Sequence, residues 1–134
     1  MEKLEHIGIA VRSLEESNKL FARLLGTSPY KVEEVISEGV KTSFFQIGGV
    51  KIELLEATHD NSPIARFIEK KGEGIHHLAF EVTDIHESLK KYADQGFELI
   101  HTEPKTGADN KLIFFLHPKS TNGVLIELCQ EKTR

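Results

Sequence analysis

Cysteine is nearly absent: Cys129 is the only one in 134 residues. An intramolecular disulfide is therefore excluded, and a thiolate-rich metal site with it. Lying in an apolar stretch, Cys129 is expected to be a buried small hydrophobe. Long apolar runs are also missing. No segment is long enough to span a bilayer, and the opening Met1-Glu2-Lys3-Leu4-Glu5-His6 lacks the apolar core of a signal peptide, so the expected location is the cytoplasm. Nor is there a long basic run. With 17 Lys and Arg against 21 Asp and Glu, the net charge of -4 argues against nucleic acid as the main partner. The adjacent lysines, Lys70-Lys71 and Lys90-Lys91, read as solvated faces. What is present, 39% hydrophobic and 28% charged residues, is ordinary for a globular chain that buries one sizeable core. A single domain over residues 1–134 is expected.

The chain repeats itself. Gly-Val-x-Ile-Glu-Leu occurs at Gly49 to Leu54 and again at Gly123 to Leu128. Upstream, His6-Ile7-Gly8-Ile9-Ala10-Val11 corresponds to His77-Leu78-Ala79-Phe80-Glu81-Val82, and Leu14-x-Glu16-Ser17 to Ile85-x-Glu87-Ser88. The offset is 71 residues at the start of each half and 74 at the end, which is duplication with a small insertion. Two copies at so long a period do not make a solenoid. They make two fused copies of one supersecondary module.

Each copy reads as βαβββ. Residues 5 to 11 alternate apolar positions at the period of a half-buried strand. Ser13-x-x-Glu16 is a capping box, Leu14, Phe21, Leu24 and Leu25 follow at helical spacing, and Gly26 is placed to end the helix. Strands are predicted near 30–37, 40–47 and 50–56, with Gly48-Gly49 as a turn. Module 1 thus covers about residues 4–57. A linker over 58–73 carries a short helix, Ile64 to Lys70. Module 2, about 74–131, repeats the plan with a strand at 75–82, a helix at 84–95 capped by Asp84, and strands near 97–101, 111–116 and 123–129. Its extra length falls at His117-Pro118-Lys119-Ser120, a loop composition that commonly serves function.

Strand parity selects the polar residues that share a face. If Ile7, Ile9 and Val11 pack beneath one helix and Leu78, Phe80 and Val82 beneath the other, His6 and His77 point to the opposite, concave face. The same parity sends His76 to the helix side. Glu53 opposes Ile52 and Leu54, and Glu127 opposes Ile126 and Leu128. A carboxylate in so apolar a strand is costly without a partner, and a metal ion is a partner that all four residues can share. Any one of them alone reads more naturally as a hydrogen-bonded or solvated strand residue. Their recurrence at equivalent positions of both modules points to a shared metal instead. His59 and His86 read as surface residues, His101 as a strand-end residue and His117 as a loop residue.

Two imidazoles and two carboxylates suit an octahedral divalent ion such as cobalt, zinc, manganese or nickel. Four protein ligands leave two positions for a substrate that binds through two oxygens, which suits Lewis-acid stabilisation of an enolate. Redox oxygen chemistry more often uses two His and one carboxylate. The second Glu favours proton chemistry.

The paired modules and the set His6, Glu53, His77, Glu127 resemble the vicinal oxygen chelate superfamily, whose members include glyoxalase I and extradiol dioxygenases. The likeness is greatest to its methylmalonyl-CoA epimerase family. It runs through Glu5 to Val11, Ile52-Glu53-Leu54-Leu55-Glu56, Asp60-Asn61-Ser62-Pro63-Ile64-Ala65, Gly74 to Ala79, and from His117-Pro118-Lys119-Ser120 to Leu128. Ser62 to Ala65 and the His117 loop are the more specific signals. The resemblance implies an α+β fold in which two tandem βαβββ modules form a cupped mixed sheet around a metal site. It further implies a metal-dependent epimerase that interconverts (R)- and (S)-methylmalonyl-CoA by proton abstraction at C2 through a metal-stabilised enolate, acting as a homodimer. Glu127 and Glu53 are then candidate acid/base groups as well as ligands. His117, Lys119 and Ser120 are candidate substrate contacts, with Lys119, Lys105 or Arg66 available for the phosphates of the acyl-CoA. One position departs from the pattern: some members carry a glutamate, proposed as a base, where Thr42 stands. Threonine cannot serve as that base, which leaves Glu53 or a bound water for the second face. A glyoxalase I-like isomerase or lyase on a thiol adduct would use the same ligand set. A non-catalytic binding protein of this fold typically lacks it.

Overall fold

The computed structural model describes residues 1–132, and its elements follow the duplicated plan. The first copy runs β1 (Lys3–Ala10), α1 (Leu14–Leu25), β2 (Lys31–Val35), β3 (Val40–Ile47) and β4 (Val50–Ala57). After α2 (Pro63–Lys71), the second runs β5 (Gly74–Glu81), α3 (Ile85–Asp94), β6 (Lys105–Thr106), β7 (Lys111–Leu116) and β8 (Ile126–Glu131). The α+β class and the tandem βαβββ order are those read from the sequence. The chain divides into two compact units, one of His6–His76 and one of Met1–Glu5 with the residues from His77 onward. Among the described residues, no helix is long and apolar enough to cross a membrane.

In the first unit the strand order is β2-β3-β4-β1, with β1 parallel to β4 and the other neighbours antiparallel. Alternation then separates two apolar sets. Val11, Phe45 and Leu54 are buried on one face with Leu14, Phe21 and Leu25 of α1. Ala10, Val40 and Leu55 are buried with Ile64, Phe67 and Ile68 of α2. The short helix expected within the linker is therefore a packing element of the first unit. Its N-terminus is set by Ser62, whose buried side chain accepts from the Ala65 N–H at 3.2 Å, and by Pro63 at the first helical position.

The second unit repeats the arrangement as β5-β8-β7-β6, with β5 parallel to β8. Asp84 caps α3 by accepting from the Glu87 N–H at 3.1 Å. The helix covers Val82, Phe114, Leu116 and Leu128, together with its own Ile85. Phe114 has no exposed surface. Removing its ring leaves a cavity that rigid neighbours fill only partly, so Phe114→Ala is expected to cost about 3–5 kcal/mol of stability, measured by urea unfolding.

Two strand boundaries differ from expectation. Residues 97–101 form only an isolated bridge, Leu99 with Leu116, and on the side away from β8 the strand that pairs with β7 is the two-residue β6. Phe97 and Leu99 nevertheless both pack on the second core. The Ile100 N–H to Phe115 carbonyl and His117 N–H to Glu98 carbonyl bonds make that single bridge, while the Phe97 N–H donates to the Tyr92 carbonyl and the Glu98 N–H to Ser120 Oγ. The last strand begins at Ile126 rather than at Gly123. The inserted loop folds into a 3-10 turn, Pro118–Ser120, and the Gly123 and Val124 N–H groups donate to Pro118 and Thr121 carbonyls within it. The same hexapeptide therefore starts a strand early in one module and late in the other.

Candidate functional site

Each unit holds one buried His–Glu pair at the position the repeat singles out. In the first, β1 and β4 run parallel with Gly8 beside Glu53, which places His6 and Glu53 on one face. Both are only 4% exposed, and His6 Nδ1 lies 3.2 Å from Glu53 Oε2. Phe44, fully buried, stands across from Glu53 on β3 and walls that side with hydrocarbon. A carboxylate so placed is stable only with a partner.

The second unit reproduces the pair. His77 is 6% exposed and Glu127 5%, with His77 Nε2 3.1 Å from Glu127 Oε1. Here the wall is Phe115, the cross-strand neighbour of Glu127, whose ring meets the His77 ring edge to face with centroids 5.9 Å apart. His76 points the other way, its ring against Phe67 of α2. In both units the histidine comes from the opening strand and the glutamate from its parallel neighbour. The donor chemistry fits a divalent ion. Imidazole nitrogen and carboxylate oxygen, brought within 3.2 Å of each other in the first pair and 3.1 Å in the second, are donors that such an ion would take.

The remaining candidates fare differently. In the loop after β7, His117 Nδ1 accepts from the Lys119 N–H at 3.0 Å and Ser120 Oγ donates to the His117 carbonyl at 3.1 Å. Those groups build the turn, while the Lys119 amine stays three-quarters exposed beside Glu98. Arg66 and Lys105 are exposed on α2 and β6. His59 and His86 are surface residues as expected. Thr42 is fully buried, on the face of β3 that carries Phe44, and its hydroxyl has no hydrogen-bond partner among the described residues. Cys129 is fully buried, its thiol donating to the Phe80 carbonyl. Burial, reinforced by the charges of Glu127 and Glu5, pushes that thiol far above its ordinary range, so it is not a nucleophile.

Two features escaped the sequence reading. Lys111, at the start of β7, is 4% exposed and lies 3.9 Å from the equally buried Glu5 and 3.6 Å from Glu131. Cross-strand register sets Lys111 opposite Glu131, and folding brings Glu5 to it from a strand that β7 does not pair with, so nothing local in the sequence marks the cluster. His101, read as a strand-end residue, instead packs its ring against Phe115.

Comparison with known proteins agrees with this geometry. The signature of the Glyoxalase/Bleomycin resistance protein/Dioxygenase superfamily matches residues 5–115. The chain is 42% identical to the mitochondrial methylmalonyl-CoA epimerase of Dictyostelium discoideum, over 94% of this chain and 76% of that protein. It is 38% identical to the ethylmalonyl-CoA/methylmalonyl-CoA epimerase of Cereibacter sphaeroides, over 96% and 97%. The crystal structure of a variant of Streptomyces coelicolor methylmalonyl-CoA epimerase, in complex with 2-nitronate-propionyl-CoA, superposes with a TM-score of 0.94 at 31% identity, covering 99% of this chain and 96% of that one.

Proposed function

Because this chain belongs to the methylmalonyl-CoA epimerase family of the glyoxalase/bleomycin resistance protein/dioxygenase superfamily, we propose that it interconverts (R)- and (S)-methylmalonyl-CoA. The observation that carries this reading is the pair of buried His–Glu contacts at equivalent positions of two modules. In this proposal the two units are modules of one domain, and His6, Glu53, His77 and Glu127 together hold one divalent ion. Cobalt, zinc, manganese and nickel all suit the donor set. When bound, the ion supplies Lewis-acid polarisation of the thioester and carboxylate oxygens of the substrate.

The residues of the chain perform the proton transfers. Inversion requires that the C2–H bond break on one face, its electron pair moving into the thioester carbonyl, and that a proton be delivered to C2 from the other face. Glu127 serves one face. Thr42 offers a hydroxyl but no base, so Glu53, a second buried carboxylate, serves the other. Phe44 and Phe115, each the cross-strand neighbour of one glutamate, keep water from both carboxylates. Lys119, with Lys105 and Arg66, offers exposed cations for the phosphates, while the turn built by His117 and Ser120 presents Lys119. The protein works in the cytoplasm as a homodimer. Sedimentation tests the dimer, and Tyr30, Val32 and Ile36 expose apolar surface at and beside the edge strand β2 that a second copy can cover.

Incubation of metal-loaded protein with methylmalonyl-CoA in deuterated water is the test, beside a hemithioacetal control. Deuterium is expected at C2 of the CoA ester, with no turnover of the hemithioacetal. Turnover of the hemithioacetal alone would assign the chain to glyoxalase-type chemistry, and inertness toward both would leave a binding protein.

A further inference from the structure

His101 is held on three sides. The preceding Ile100 N–H donates to the Phe115 carbonyl at 3.0 Å. Its own Nδ1 lies 2.9 Å from the Glu103 carbonyl oxygen. Its ring meets that of Phe115 nearly perpendicularly, at 82°, with centroids 6.1 Å apart. The other nitrogen, Nε2, is buried and has no hydrogen-bond partner among the described residues. A buried polar atom left unpaired costs about 1–3 kcal/mol. Phenylalanine would avoid that cost while giving up the Nδ1 bond to Glu103; neither that bond nor the packing against Phe115 makes use of Nε2.

Position supplies a reason. Phe115 is the residue that also stacks on His77 and stands across from Glu127. His101 is therefore one aromatic ring away from the His–Glu pair of its own unit. The tautomer follows from its bonding: a carbonyl oxygen only accepts, so the hydrogen sits on Nδ1, and Nε2 of the neutral ring is an acceptor. The reacting end of a malonyl thioester, a carboxylate and a thioester carbonyl, has nothing to donate to it. The nearest donor in an acyl-CoA is the pantetheine amide N–H next to the sulfur, a few bonds from C2.

We propose that His101 is a substrate-positioning residue whose Nε2 accepts a hydrogen bond from that pantetheine amide. The inference rests on the epimerase reading and adds to it the group that sets the thioester in register with the glutamates. Residues 101–104 form no regular element and Thr102 and Glu103 are exposed, so a small adjustment of this segment admits the ligand.

The test crosses a protein change with a substrate change. H101F keeps the ring and its contact with Phe115, H101Q restores a polar atom near the Nε2 position, and an S-ethyl methylmalonyl thioester lacks the amide. With methylmalonyl-CoA, H101F is expected to raise KM about tenfold while kcat changes less than about twofold, and H101Q to recover part of the loss. With the S-ethyl thioester, H101F and the unaltered protein should have equal kcat/KM. Equal losses on both thioesters, or an unchanged KM for the CoA ester, overturn the proposal. If H101F does not fold, the imidazole nitrogen resonances of the unaltered protein decide: propionyl-CoA should shift the His101 Nε2 signal, and no shift overturns the proposal. Failure of the unaltered protein to exchange deuterium into methylmalonyl-CoA removes the epimerase reading and this one with it. Normal exchange with an unaffected H101F removes this one alone.

Discussion

Glu127→Gln lowers the epimerisation of methylmalonyl-CoA by about a hundredfold to ten-thousandfold, the range that a positioned acid/base group contributes. The substitution is nearly isosteric and keeps an oxygen where Glu127 Oε1 stands 3.1 Å from His77 Nε2, so the fold and one donor atom survive. What disappears, on the proposed assignment, is the basic carboxylate on one face of C2. Two groups acting from opposite faces make the loss stereochemically lopsided. The stereoisomer whose C2 proton faces Glu53 should still exchange with deuterated water, while the other does not and inversion fails for both. Chiral analysis of recovered substrate, with elemental analysis of the variant for bound metal, checks the result. Full inversion by a variant that retains its metal would show that Glu127 is a ligand only.

Removal of the metal has the second large effect. Dialysis against a chelator is expected to reduce activity to less than about one hundredth, and one of cobalt, zinc, manganese or nickel should restore it. Stability should fall as well, because an ion that binds only the folded chain stabilises it by about 3–4 kcal/mol at a hundredfold to a thousandfold excess over its dissociation constant. Glu53 and Glu127 are 4% and 5% exposed, so loss of a cation removes a counter-charge from two buried carboxylates. Protein purified without chelator should carry close to one equivalent of divalent metal, and its Tm should drop on dialysis. Undiminished activity in protein that elemental analysis shows to be metal-free would refute the shared site.

Much of this arrangement was legible because it is periodic. Alternation in Ile7, Ile9 and Val11 placed His6 opposite the face that packs on α1, and the same alternation in β8 placed Glu127 opposite Leu128. The caps of α1 and α3 were legible because capping is local: Ser13 bonds the Glu16 N–H and Asp84 the Glu87 N–H, each three residues on. Reading failed where a local pattern met a distant partner. Phe97 and Leu99 alternate like a strand, yet between and beside them the Glu98 N–H goes to Ser120 Oγ and only Leu99 forms a bridge. Gly123 and Val124 repeat Gly49 and Val50, yet an insertion before them leads their N–H groups to the Pro118 and Thr121 carbonyls instead of into a strand.

The sequence by itself determined the duplicated module, the face of each strand and the two His–Glu pairs, because these depend on spacing along one chain. Tertiary structure decided what spacing cannot express. It packed α2 onto Ala10 and Leu55, buried Lys111 with Glu5, and set His101 against the ring that stacks on His77. Each of these contacts joins residues that no local pattern brings together. Which residues meet there is fixed by strand register and by how the core fills its volume, and only the folded chain has a register or a volume to fill.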